Sequence, residues 1–140
     1  MNQQYVEAFT VSGREERTTN AVEAGGNGII GKLWSHFGHN LPGPPIAVYS
    51  SYASDKDGEY AYLLGTRSRG ETAAELVERQ IVPGQYVVLS FEGATTPEAI
   101  VGLWMQVWSA ETSGQIKRAY KTDFEIYSAS GVQLFVGIDA

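Results

Sequence analysis

The second half of this chain echoes its first. Ile29-Ile30-Gly31-Lys32-Leu33-Trp34 is answered by Ala99-Ile100-Val101-Gly102-Leu103-Trp104, and Val48-Tyr49-Ser50 by Ile126-Tyr127-Ser128. Tyr62-Leu63-Leu64-Gly65 is answered by Leu134-Phe135-Val136-Gly137. The three echoes keep their order, at offsets of about 70, 78 and 72 residues. Two copies of one small unit therefore predict a single domain over residues 1–140, with pseudo-symmetric halves at about 1–68 and 80–140. The period is too long and the copies too few for a solenoid.

A chain of 140 residues is long enough for one domain with its own core. It has no cysteine, which excludes disulfides, thiol nucleophiles and cysteine metal sites. A formal net charge of −6 argues against nonspecific nucleic-acid binding. With no basic leader before an apolar run and no membrane-length apolar stretch, a soluble cytoplasmic protein is expected.

Apolar periodicity supplies the elements. A first strand is expected at about Gln4 to Thr18, broken at Gly13. The glycine-rich Gly25–Gly28 lacks the Lys and Ser/Thr of a phosphate-binding loop and reads as a connection into a helix. That helix, about Gly28 to Phe37, places Ile30, Leu33, Trp34 and Phe37 on one face, with Gly38 to end it. The prolines of Leu41-Pro42-Gly43-Pro44-Pro45 make a connector. Strands at about 46–53 and 59–66 flank the polar turn Ser54-Asp55-Lys56-Asp57-Gly58. Thr72–Val77 fits either a short helix or an irregular loop.

In the second half, Gln85–Phe91 reads as a strand. Thr96-Pro97-Glu98 then opens a helix, with Thr as N-cap, Pro at the first position and an acid in the first turn. Ile100, Leu103, Trp104, Val107 and Trp108 form its apolar face, and strands at about 123–128 and 132–138 close the chain. Each half is strand–helix–strand–strand. The expected fold is α+β: one curved antiparallel sheet, with two helices flanking a central cleft.

Four stretches carry a family likeness: Asp57-Gly58-Glu59-Tyr60-Ala61-Tyr62-Leu63-Leu64-Gly65, Ile81-Val82-Pro83-Gly84-Gln85-Tyr86-Val87-Val88, Pro97-Glu98-Ala99-Ile100 with Leu103-Trp104, and Asp123-Phe124-Glu125-Ile126-Tyr127. Together with the duplication they resemble the GyrI-like, or AraC-type effector-binding, domain, the small-molecule-binding module of multidrug-responsive regulators. Arg17-Thr18-Thr19-Asn20-Ala21 before the first helix resembles stand-alone members, some carried on mobile gene cassettes. The resemblance implies an aromatic-lined cleft between the helices with a buried acid, carried over here to Glu125 with Tyr127 beside it. It implies lipophilic organic cations as ligands, and no cofactor. The regulators' DNA-binding domain has no counterpart in this chain, so direct DNA binding is not expected; a separate regulator is a possible protein partner.

From the residues alone, strand alternation puts Asp123, Glu125 and Tyr127 on one face. The pattern leaves two places for Glu125, the cleft or the solvent face. The repeat pairs Tyr127 with Tyr49 and Glu125 with Ala47, giving two symmetric tyrosines and one carboxylate. A desolvated carboxylate needs a partner, and each aromatic face adds about 0.5–2 kcal/mol of cation–π attraction. The expected ligand-binding set is Glu125, Tyr127, Tyr49, Trp104, Trp34, Trp108 and Phe37, with Trp108 and Phe37 also readable as core. Tyr52, Tyr60, Tyr62 and Tyr86 fit either the cleft wall or sheet packing.

His36 and His39 read as complements to a helix C-terminus, with no third metal ligand at diagnostic spacing. Arg14-Glu15-Glu16-Arg17 reads as a solvated, self-compensating run, and Lys117, Arg118 and Lys121 as a small basic spot. Capture of a hydrophobic, cationic small molecule is the leading expectation. Two alternatives stand beside it: a hydrolase of electrophilic small molecules with Glu125 as general base, and a gyrase-inhibitor-like role with a topoisomerase as protein partner.

Overall fold

The computed structural model describes residues 1–26, 28–68 and 76–139. Its eight strands are β1 (Asn2–Val6), β2 (Thr10–Thr18), β3 (Ile46–Ser50), β4 (Tyr60–Arg67), β5 (Val77–Gln80), β6 (Gly84–Glu92), β7 (Arg118–Ser128) and β8 (Gly131–Ile138). The helices are α1 (Asn20–Ala24), α2 (Ile30–His36) and α3 (Pro97–Thr112), with a 3-10 turn at Gly38–Asn40. All strands join one antiparallel sheet in the order β1-β6-β8-β7-β3-β4-β2-β5. The fold is α+β, and none of the helices is long and apolar enough to cross a membrane.

The strand order reads the same from either edge once β1 is matched to β5, β2 to β6, β3 to β7 and β4 to β8. The centre is the β3–β7 pair, where Ala47 faces Glu125. The offset of 78 residues that relates Tyr49 to Tyr127 also relates Ala47 to Glu125. Glu125 and its repeat mate are thus direct ladder partners at the middle of the sheet.

Alternation along the strands builds two cores. Ala47, Tyr49, Tyr62, Leu64, Val87, Leu89, Leu134 and Val136 pack with Leu103, Trp104, Val107 and Ala110 of α3. Val48, Leu63, Tyr86, Phe124 and Phe135 face the other way. There the cover comes from the chain itself: Phe9 meets Phe124 edge-on at 5.4 Å, and Ile81 N–H donates to the Phe9 carbonyl at 2.7 Å.

Several elements differ from the sequence expectation. The first strand is two strands on distant parts of the sheet, because Phe9 turns the chain across the helix-free face between them. Gly13 does not break β2. It faces Gly65 in the register, and a Cβ there would lie 2.1 Å from the Leu64 carbonyl oxygen, so this glycine permits close approach of two strands. The short α1 and β5 were not anticipated, and β7 begins earlier, at Arg118, through a register irregularity before Asp123. The helix-or-loop reading of Thr72–Val77 falls outside the described residues except for Leu76 and for Val77, which opens β5.

Helix α3 starts as its sequence dictates. The Thr96 hydroxyl accepts from Ala99 N–H at 3.2 Å, and Pro occupies the first turn. Helix α2 has no side-chain cap from its own first residues. Its exposed donors are met by Glu23 of α1, whose carboxylate accepts from Ile29 N–H at 3.0 Å and Ile30 N–H at 3.2 Å. A Cβ on Gly28 would sit 2.2 Å from that carboxylate, which accounts for a glycine in this loop.

Candidate functional site

Between α1–α2 on one side and α3 on the other lies a cavity of about 1040 Å³, with the sheet as its floor. Trp34, Tyr49, Trp104, Trp108, Glu125 and Tyr127 line it, along with Tyr52, Tyr60 and Tyr62. Phe37, expected with them, lies elsewhere: it borders a smaller depression, with the Arg14 guanidinium 5.0 Å from its ring centroid. Tyr86 belongs to the opposite core and bonds the Val82 carbonyl at 2.5 Å. The structure thus separates tyrosines that the sequence left unsorted.

Glu125 is 1% exposed and holds three donors. Oε1 accepts from the Tyr127 hydroxyl at 2.6 Å; Oε2 accepts from the Tyr49 hydroxyl at 2.8 Å and the Trp104 indole N–H at 2.8 Å. Burial raises its pKa, and the three hydrogen bonds oppose that rise without cancelling it. Burial, then the neighbouring Glu125 charge, pushes the Tyr49, Tyr62 and Tyr127 hydroxyls above their ordinary value, so they stay protonated and able to donate. A carboxylate has about four lone-pair positions. With three filled, Oε1 retains one.

The aromatic walls repeat across the centre. Trp34 meets Tyr127 edge-on at 4.8 Å, and Trp104 meets Tyr49 at 4.9 Å. These contacts are mates under the sequence echo, and each crosses from one half to the other. The indole N–H groups differ: Trp104 donates to Glu125, Trp34 to the Tyr62 hydroxyl at 3.0 Å. A Cβ on Gly38 would be 2.7 Å from Trp34 Cε3, so the glycine that opens the 3-10 turn after α2 admits the indole.

Beside this centre lies a group the sequence reading missed. Asp123 is fully buried and accepts from Arg118 Nη2 at 2.8 Å, the Tyr52 hydroxyl at 2.5 Å and Gly137 N–H at 2.8 Å. Arg118, expected in a small basic spot with Lys117 and Lys121, is 5% exposed, with its guanidinium 4.2 Å from the Tyr120 ring centroid. The available signal was alternation, which puts Asp123 on the face of Glu125, where a buried carboxylate requires a cation. The Arg14–Arg17 run also differs from expectation: Glu15 pairs with Arg79 of β5 through two bonds, and Arg17 with Glu59 just before β4. His36 and His39 both border the cavity, at the end of α2 and in the turn after it.

The comparisons agree with this architecture. An integron cassette protein, VCH_CASS2, from the mobile metagenome of Vibrio cholerae is 31% identical, with a TM-score of 0.85 over 99% of this chain and 95% of that one. SAV2435, solved bound to tetraphenylphosphonium, is 14% identical, with a TM-score of 0.74 over 99% of this chain and 93% of that one, and so shares the fold. Among curated proteins, none matches the chain in sequence. Over residues 4–138 the sequence matches the family Cass2, integron-associated effector binding protein. The chain therefore belongs to the integron-associated effector binding family.

Proposed function

We propose that this protein captures hydrophobic, cationic, drug-like small molecules, with Glu125 as the electrostatic anchor and Tyr49, Tyr127, Trp34 and Trp104 as the walls. The observation that carries this reading is a fully buried carboxylate, held by three aromatic donors, at the floor of an aromatic cavity. A volume of about 1040 Å³ suits a drug-sized ligand. Burial leaves the Glu125 charge short of solvation, and a cation over the ring faces supplies it at about 0.5–2 kcal/mol per aromatic contact. Tyr49, Tyr127 and Trp104 already donate to Glu125, and a quaternary cation has no proton to donate, so it acts through the field. A protonated amine has the remaining Oε1 position as well. The tetraphenylphosphonium cation bound to SAV2435, a protein of the same fold, supports the ligand class. In this reading the chain is one domain of two echoing halves, binds without a cofactor, and sequesters its ligand or presents it to a partner.

The test is a titration, followed by tryptophan quenching, with a permanently cationic triarylmethane dye and its uncharged leuco form. Saturable binding of the cation at least tenfold tighter than the leuco form is expected. Equal binding of both, or no binding of either, overturns the reading. Catalytic consumption of a ligand would favour the hydrolase alternative.

A further inference from the structure

The two halves of the cavity are mates in sequence but not in chemistry. Trp104 has Trp108 stacked on it, with centroids 6.4 Å apart, and the Arg118 guanidinium 5.4 Å from its ring centroid. The offset of 70 residues that relates Trp104 to Trp34 also relates Trp108 to Gly38. The offset of 78 that relates Tyr127 to Tyr49 relates Arg118 to Asn40. The repeat thus gives Trp34 a glycine and a neutral amide where it gives Trp104 an indole and a cation. Trp34 and its contact Tyr127 are half-buried, whereas Trp104 and Tyr49 are each 8% exposed.

Charge follows the same division. Of the Arg118–Asp123 ion pair, it is the arginine that lines the cavity. Among the described residues, the cation–π contacts of the cavity wall are those of Arg118, with Trp104 and, at 5.6 Å, with Tyr52. A ligand cation on those rings would share them with a like charge. On the other side, Glu125 Oε1 has one donor, Tyr127, where Oε2 has Tyr49 and Trp104. The less satisfied oxygen is therefore the one bonded to the half-buried tyrosine. Lys32, Lys56, His36 and His39 also line the cavity. Lys32 and both histidines are exposed, so solvent screens them, and Lys56 pairs with Asp57 at 3.0 Å.

We propose that the ligand's charge is held in the α2 half, against Trp34 and Tyr127 beside Glu125 Oε1, while Arg118 keeps a second charge out of the α3 half. The preferred ligand is then a monocation charged at one end, with a neutral apolar body reaching toward Ile100 and Trp108. This rests on the cation-capture reading above and specifies its ligand class.

Three probes with one skeleton test it: (para-benzylphenyl)trimethylammonium, its neutral isostere para-benzyl-tert-butylbenzene, and the dication with a second trimethylammonium at the far para position. Each is titrated into wild type, Trp34→Leu, Trp108→Leu and Arg118→Gln. Wild type is expected to favour the monocation over the isostere by at least tenfold. That ratio should fall about three- to tenfold in Trp34→Leu, the range of one cation–π contact, and hold in Trp108→Leu. The isostere reports lost packing in both variants, so the ratio isolates the charge. The dication should bind wild type more weakly than the monocation. It should gain about three- to tenfold on the monocation in Arg118→Gln, which keeps an amide donor for Asp123. Should Arg118→Gln fail to fold, the two tryptophan variants decide.

A charge ratio that falls as far in Trp108→Leu as in Trp34→Leu, or falls in neither, overturns the placement and leaves cation capture standing. So does a dication that gains nothing in folded Arg118→Gln. Equal binding of monocation and isostere by wild type, or no binding of either, overturns cation capture, and the placement with it.

Discussion

At the residue scale, the chemistry concentrates on Glu125. Its ladder partner is Ala47, so the repeat supplies a methyl where a second carboxylate would have stood. In the proposed reading, Glu125 is the acid that the positive charge of the ligand would face. Its raised pKa has a consequence whose sign is fixed by linkage. Between the ordinary glutamate value and the higher folded value, the native state holds more protons than the unfolded state. Stability is therefore greatest below the unfolded pKa and declines as pH rises through the folded one. Cation binding runs oppositely, since it favours the carboxylate. For a permanently charged ligand, affinity should rise with pH through the folded pKa and then level, with proton release on binding in that window. Calorimetry in buffers of differing ionisation enthalpy measures this release. A pH-independent affinity across the acidic range would contradict it.

At the element scale, the two helical walls are held unequally. Helix α3 buries Leu103, Trp104, Val107 and Ala110; full burial of a large apolar side chain contributes roughly 1.5–3 kcal/mol. Helix α2 has no fully buried residue. It depends on partly buried Leu33 and Trp34, the Trp34–Tyr62 hydrogen bond and the Glu23 cap. Glu23→Ala should therefore destabilise the protein by about 1–2 kcal/mol, measured by denaturant unfolding. It should also weaken ligand binding, because Trp34 rides on α2. Unchanged stability would show that the carboxylate does not hold the helix start. Of the two helical walls, α2 is the less buried and α3 the more buried.

At the scale of the whole molecule, the sequence echo corresponds to a strand order that reads alike from both edges, with the β3–β7 pair at its centre. Short-range signals were legible: the Thr96-Pro97 helix start, the periodic faces of α2 and α3, and the alternation that sends Glu125 and Tyr127 to one face. What was illegible depends on long-range placement. Nothing local states that β1 crosses to pair with β6 while β5 pairs with β2. Gly13 looks like a breaker until Gly65 is opposite it. Arg118 looks solvated beside Lys117 and Lys121 until the irregular start of β7 brings it to Asp123. Phe37 shares the helical period of Trp34, yet α2 ends at His36 and Phe37 leaves the cavity.

The central claim is that one buried carboxylate makes an aromatic cavity selective for cations. Its most direct measurement is the ratio of affinities for the cationic dye and its leuco form, in wild type and in Glu125→Gln, at a pH where wild-type binding has levelled. Gln keeps one carbonyl oxygen for the aromatic donors and removes the charge, so the cavity should persist. The ratio should fall by at least tenfold, with leuco-form binding nearly unchanged. A folded Glu125→Gln protein that retains the wild-type ratio would contradict the account.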